Sequence, residues 1–142
     1  MIGAGDASME EYVSALTVGR FIGQQGATLV FGGMGGVMEA ACKGAREAGG
    51  RTIGIPPDTG NGNPYLDVVI RTGLGHAKNM VVVRSADAVI AIGGSHGTLS
   101  EIAIALKLGK PVFGLGPRDI PGVVPCTRPQ DAVERAVVRT FS

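Results

Sequence analysis

The chain has 142 residues, one domain by length, with 13 Lys+Arg against 12 Asp+Glu and a formal charge of +1. That balance, with scattered basic residues, no Trp and 4% aromatic residues, offers neither the charge nor the stacking platforms for nucleic acid or an anionic membrane. No apolar run approaches the roughly 20 residues of a membrane-spanning helix, and the start lacks a basic leader, so a soluble, cytoplasmic protein is expected.

Residues 1–3 form the tail of a first strand, and residues 3–8 its loop. Ser8-Met-Glu-Glu11 is a capping box, so a helix starts at Met9; Tyr12, Ala15, Leu16, Val18 and Ile22 give it a helical face, and Gly26 ends it. Thr28–Phe31 is the second strand, residues 36–48 the second helix and residues 51–55 the third strand, stopped by Pro56-Pro57. Residues 58–64 are a loop on composition, and residues 66–71 a short strand. A helix over residues 76–85, a buried strand over 87–92 and a helix over 98–108 follow. Strands at 111–115 and 123–126 precede a last helix behind Thr127-Arg-Pro-Gln130, a second capping box.

Helices alternating with strands at this spacing indicate parallel βαβ units covered on both faces. The expected fold is α/β: a Rossmann-like doubly wound parallel sheet in a three-layer α/β/α sandwich, with residues 1–142 as a single domain. In such sheets ligands bind beyond the carboxyl ends of the strands, at the point where strand order reverses.

Glycine, at 24 residues, is the compositional outlier, and it punctuates junctions between apolar segments. Two of those junctions repeat one pattern. Thr28–Phe31 runs into Gly32-Gly33-Met-Gly35-Gly36 before a helix, and the 88–92 run enters Gly93-Gly94-Ser95-His96-Gly97-Thr98 before another. Glycine has no Cβ, so such a turn brings backbone N–H groups and a helix N-terminus close to an anion. The pair points to a phosphate-bearing ligand. The bland alternative is a pair of tight turns serving strand–helix packing.

Other nucleotide signatures are missing. Gly3-x-Gly5 is followed by Ser8 where the third glycine of a dinucleotide fingerprint would stand, and no acidic residue ends the second strand to hold a ribose. No Gly-Lys-[Ser/Thr] occurs, which excludes a P-loop. Cys42 and Cys126 match no ligand spacing; Cys42 shares a helical face with Met38, Ala41 and Ala45 as a small core residue. His76 and His96 are too few for a metal site without carboxylates, and none is expected.

Gly93-Gly-Ser-His-Gly-Thr-Leu-Ser-Glu101 resembles the PGGxGTxxE signature of the LOG family, once labelled lysine decarboxylase-like. Gly32–Met38 and the 48–55 segment also resemble that family, over essentially the whole chain. Asn63-Pro-Tyr, Thr72-Gly-Leu-Gly75 and the 97–102 segment look closest to its short bacterial branch, similar to molybdenum-cofactor carrier proteins. LOG-type enzymes hydrolyse the N-glycosidic bond of N6-substituted adenosine 5′-monophosphates. The resemblance implies that the glycine loop and Thr98 hold a phosphate, that Glu101 matches the catalytic glutamate, and that two copies pair as a homodimer. Lys78 stands where the family has its arginine, keeping the charge and losing the planar fork.

The resulting expectation is a carrier for a phosphorylated, nucleotide-like or pterin (molybdenum cofactor-type) ligand. The alternative is a nucleoside 5′-monophosphate phosphoribohydrolase using Glu101 and Lys78, with an AMP-like ligand. Ligand contacts are expected from Gly32, Gly33, Gly35, Gly36, Gly93, Gly94, Ser95, His96, Gly97, Thr98, Asn79 and Asp6. Glu101 could instead cap its helix and Lys78 could be an exposed helix cation. No lysine has the surroundings of a pyridoxal Schiff base, so lysine decarboxylation is not expected.

Overall fold

Ser8 fixes the entrance of the first helix. In the computed structural model, which describes residues 1–32, 35–94, 96–116 and 119–141, its Oγ accepts the Glu11 N–H at 3.1 Å. The Glu11 carboxylate accepts the Ser8 N–H at 3.0 Å in return. Helix α1 (Met9–Gln24) therefore starts where the capping box puts it. Strands β1 (Ile2–Gly3), β2 (Thr28–Phe31) and β3 (Arg51–Gly54) alternate with α1 and α2 (Val37–Glu47). Then come β4 (Val68–Val69), a 3-10 turn (Gly75–Ala77), α3 (Lys78–Ser85), β5 (Val89–Ile92), α4 (His96–Lys107), β6 (Val112–Leu115), β7 (Val124–Cys126) and α5 (Pro129–Phe141).

Every strand pair is parallel, in two ladders, β1-β5-β6-β7 and β2-β3-β4. The Met1 amino group donates to Val30 O at 2.9 Å, and the Val37 N–H donates to Ala4 O at 2.9 Å. The first bond sets β1 beside β2 and the second ties the loop after β1 to α2, so the two ladders follow the order β4-β3-β2-β1-β5-β6-β7. The order reverses between β1 and β5, as in a doubly wound sheet.

Alternation along β5 divides the core. Ile90 and Ile92 face Phe31, Val18, Ala41 and Val133 beneath α1, α2 and α5, whereas Val89 and Ala91 join Val83, Ile102 and Ala105 beneath α3 and α4. All four β5 residues are buried, as a strand covered on both faces requires. Helices α1 and α2 meet backbone to backbone, since a methyl at Gly19 would strike the Ala41 carbonyl and one at Gly44 the Leu16 carbonyl.

Several expected boundaries shift, among them the start of β5, from residue 87 to Val89. The strand expected over 66–71 shortens to Val68–Val69, because Thr52 gives its N–H to the Asp67 carboxylate at 2.8 Å. The helix expected from His76 begins as a 3-10 turn and turns α-helical at Lys78. Helix α4 begins at His96, two residues before the expected Thr98. The capping box at Thr127–Gln130 gives way to Pro129 as the first helical residue, an Arg128–Asp131 ion pair at 3.0 Å and a Gln130–Glu134 bond at 2.9 Å.

Candidate functional site

Beyond the carboxyl ends of β2, β1 and β5 lie both glycine turns, and they are built differently. At the second, β5 runs into Gly93 (φ 58) and Gly94 (φ 105), both at positive φ that side chains avoid. A Cβ on Gly94 would collide with Thr98 Oγ1, and one on Gly93 with the Glu11 carboxylate. Gly97, in the first turn of α4, faces open space. Ser95 lies outside the described residues.

At the first turn the described glycines face protein. Gly32 is buried against the Lys78 Nζ, so a Cβ there would displace the ammonium. Gly36 (φ 68) lies on the carbonyls of Ala4 and Gly5, and the first N–H of α2, from Val37, is already bonded to Ala4 O. Gly35 lies beside the Glu39 carboxylate. Gly33 lies outside the described residues.

Lys78 and Glu101 are both interior, 9% and 7% exposed. The reading of Lys78 as an exposed helix cation is therefore overturned. So is that of Glu101 as a helix cap: with α4 starting at His96, Glu101 falls in the second turn, beyond the free N–H groups. Burial pushes the Glu101 carboxyl above the ordinary glutamate range, against the pull of the Lys78 ammonium and the Met1 amino group. Thr98 is also buried, its hydroxyl against Gly94.

A chain of bonds ties α3 to the second turn. The Ser100 hydroxyl donates to Gly97 O at 2.8 Å and accepts from Asn79 Nδ2 at 3.3 Å. Asn79 is 8% exposed, and among the described residues its Oδ1 has no hydrogen-bond partner. Asn79 and Ser100, with His76, Met80, His96 and Gly97, line a cavity of about 530 Å³ between α3 and α4. His76 and His96 are exposed there, and Asp6 stays exposed in the loop after β1.

A second cavity, about 460 Å³, opens at the opposite, amino ends of the strands around Thr28, Leu29, Ala88 and Ile90. It contains none of the expected site residues and is no candidate for this chemistry. Among the described residues no three His, Cys, Asp or Glu side chains group as metal ligands, and no helix is long and apolar enough to cross a membrane.

Sequence reasoning missed three features. Glu11 caps α1 and also covers Gly93; the capping box named the residue and not its second neighbour. The approach of Lys78 to Gly32 joins residues far apart in sequence and had no local signal. The Asn79–Ser100 bond joins residues 21 apart in sequence and likewise had no local signal.

The sequence profile of the SLOG cluster4 family matches residues 1–139. An uncharacterized protein of Archaeoglobus fulgidus is 46% identical over 138 residues, 96% of this chain and 89% of the relative. The molybdenum cofactor binding protein of the phototrophic bacterium Rippkaea orientalis is 35% identical with a TM-score of 0.88, covering 96% of this chain and 94% of that one. The molybdenum cofactor carrier protein of Chlamydomonas reinhardtii is 35% identical with a TM-score of 0.86, covering 99% and 97%. The chain belongs to the SLOG cluster4 family.

Proposed function

With that membership as the premise, we propose that the protein binds and carries a phosphorylated pterin ligand of the molybdenum-cofactor kind. The observation that carries this reading is Lys78, a cation 9% exposed at the carboxyl end of β2. A buried ammonium is costly unless an anion meets it, and Glu101, whose burial favours its neutral form, meets it only in part. A ligand phosphate supplies the missing charge. The solved molybdenum-cofactor proteins that align along almost the whole chain support the pterin class.

In this reading the phosphate lies between the Lys78 ammonium and the open first turn of α4 at Gly97, away from the Glu11 carboxylate that covers Gly93. Gly32 stands against Lys78, and His96 opens the helix behind the second turn. Gly36 shapes the first turn and holds it to the loop after β1. Asp6 stands at the rim. The pterin is cargo, and the chain's own groups bind, orient and shield it.

One observation favours a second reading, the phosphoribohydrolase. A buried carboxyl held toward its neutral form is the state a general acid needs when a glycosidic bond breaks, and Glu101 has that environment. In the carrier the same environment only moderates the charge of Lys78.

The test is purification from a host that makes the cofactor, followed by oxidation and fluorescence of the released pterin. Near-stoichiometric pterin with wild type and a drop of about tenfold or more with Lys78→Met is the expected result. Pterin-free protein that releases free base from AMP or N6-isopentenyl-AMP in a Glu101-dependent way would replace the carrier with the hydrolase.

A further inference from the structure

Strand β1 spans two residues between β2 and β5, which span four each. Its register sets Ile2 opposite Ala91 and Gly3 opposite Ile92, which brings Met1 level with Ile90. On the amino side of Met1 the space between β2 and β5 is the cavity of about 460 Å³, with Thr28, Leu29 and Val30 on one wall and Ala88 and Ile90 on the other. Both walls are sheet edges. The Val89 N–H donates to Pro111 O on the β6 side, so alternation turns the main-chain groups of Ala88 and Ile90 toward the cavity. Phe31 O accepts from Ile55 on the β3 side, so those of Thr28 and Val30 turn the same way, and Val30 O already accepts from the Met1 amino group at 2.9 Å. Ile22 of α1 and Val133 and Ala136 of α5 line the cavity with apolar groups. A space edged by two parallel strands and lined by aliphatic side chains suits an extended apolar main chain, which satisfies the edges and fills the rest. The Met1 amino group is buried, and burial lowers its pKa to about 6. A peptide N–H at that point keeps the bond to Val30 O and brings no charge into the interior.

We propose that this amino-end cavity is a strand site, filled by an extended apolar segment joined to Met1 that completes β1. The first residue ahead of Met1 lies opposite Val89, accepts the Ile90 N–H and donates to Ala88 O. Its side chain turns to the Ile2 face, beneath α3 and α4. The second accepts the Val30 N–H, donates to Thr28 O and turns its side chain onto Ile22, Val133 and Ala136, where a large aliphatic group is required. The completed strand carries the loop whose Ala4 and Gly5 carbonyls support Gly36, so the segment steadies the ligand end of the sheet from its far end.

The test compares the chain with one carrying Lys-Ile-Val ahead of Met1 and one carrying Lys-Asp-Val there. The Ile segment is expected to raise the melting temperature by about 5 °C or more and to slow amide exchange at Val30 and Ile90 about tenfold or more. Asp, aimed at the same apolar wall, should remove both effects. Equal gains from the two segments, unchanged exchange at Val30 and Ile90, or an extended chain that does not fold each overturn the proposal. So does capture of free Lys-Ile-Val peptide by a chain that gains nothing from the joined one, which gives the cavity to a separate partner. The carrier reading stands or falls apart from these outcomes, because its ligand binds at the opposite ends of the strands.

Discussion

The two glycine turns share a sequence pattern and divide the labour. At Gly32–Gly36 the missing side chains make room for protein: an ammonium on Gly32, two carbonyls on Gly36, and a helix whose first N–H is already bonded. At Gly93–Gly97 the turn holds two left-handed glycines against side chains and leaves Gly97 facing open space. Absence of Cβ serves close packing in one copy and access in the other. A motif repeated in sequence is therefore not a function repeated in space; what distinguishes the copies is what lies within a few ångströms of each glycine.

The largest break in this comparison comes from Gly36→Ala against Gly97→Ala. Gly36→Ala puts a side chain at a positive φ and into the Ala4 and Gly5 carbonyls, and should cost about 3 kcal/mol in denaturant unfolding. Gly97→Ala lies in a helix and meets nothing, so its stability should stay within about 1 kcal/mol of wild type while phosphate-ligand affinity falls. Equal destabilisation by the two would erase the distinction.

Next in size is Lys78→Met, which removes the cation from Gly32 and leaves Glu101 without its strongest opposing charge. Ligand affinity should drop about tenfold or more, and the Glu101 carboxyl should rise further. Glu101 itself sets a pH slope. Its folded-state pKa is raised, so its contribution to stability is complete below the ordinary glutamate value and is lost as pH rises through the raised one. Melting temperature should fall along that window in wild type, and Glu101→Gln should flatten the profile; an unchanged slope would remove Glu101 from the interior charge cluster.

The smallest effect reports on the packed end. Cys42, in the helix behind the first turn, is fully buried, and burial pushes its thiol up to about 11. At pH 8 only about one thiol in a thousand is thiolate, so alkylation should wait for unfolding in wild type and accelerate in Gly36→Ala.

Much of this was legible in the chain. Thr28–Phe31 appears with the boundaries its apolar run and flanking glycine dictate, and α1 starts where Ser8 and Glu11 predict, because both signals are local. The strand expected over 66–71 lost residues to Thr52 and Asp67, which are 15 apart in sequence, and no local pattern reports such a bond. The site followed the same rule. Glycines, Thr98 and Glu101 announced themselves through one motif, whereas the burial of Lys78 depends on Gly32, contributed by a different strand and visible only once the sheet is assembled.

Glu11 was introduced as a cap, yet its carboxylate also covers Gly93 at the point where strand order reverses. Lys78 covers Gly32 two strands away, roughly 10 Å at the usual strand spacing. The crevice thus has a negative pole and a positive pole. A dianion placed at the Glu11 end meets a repulsion of roughly 1–4 kcal/mol per charge pair at 4 Å, and at the Lys78 end an attraction of similar size. The protein dictates which way round an asymmetric guest must lie before any single contact has formed.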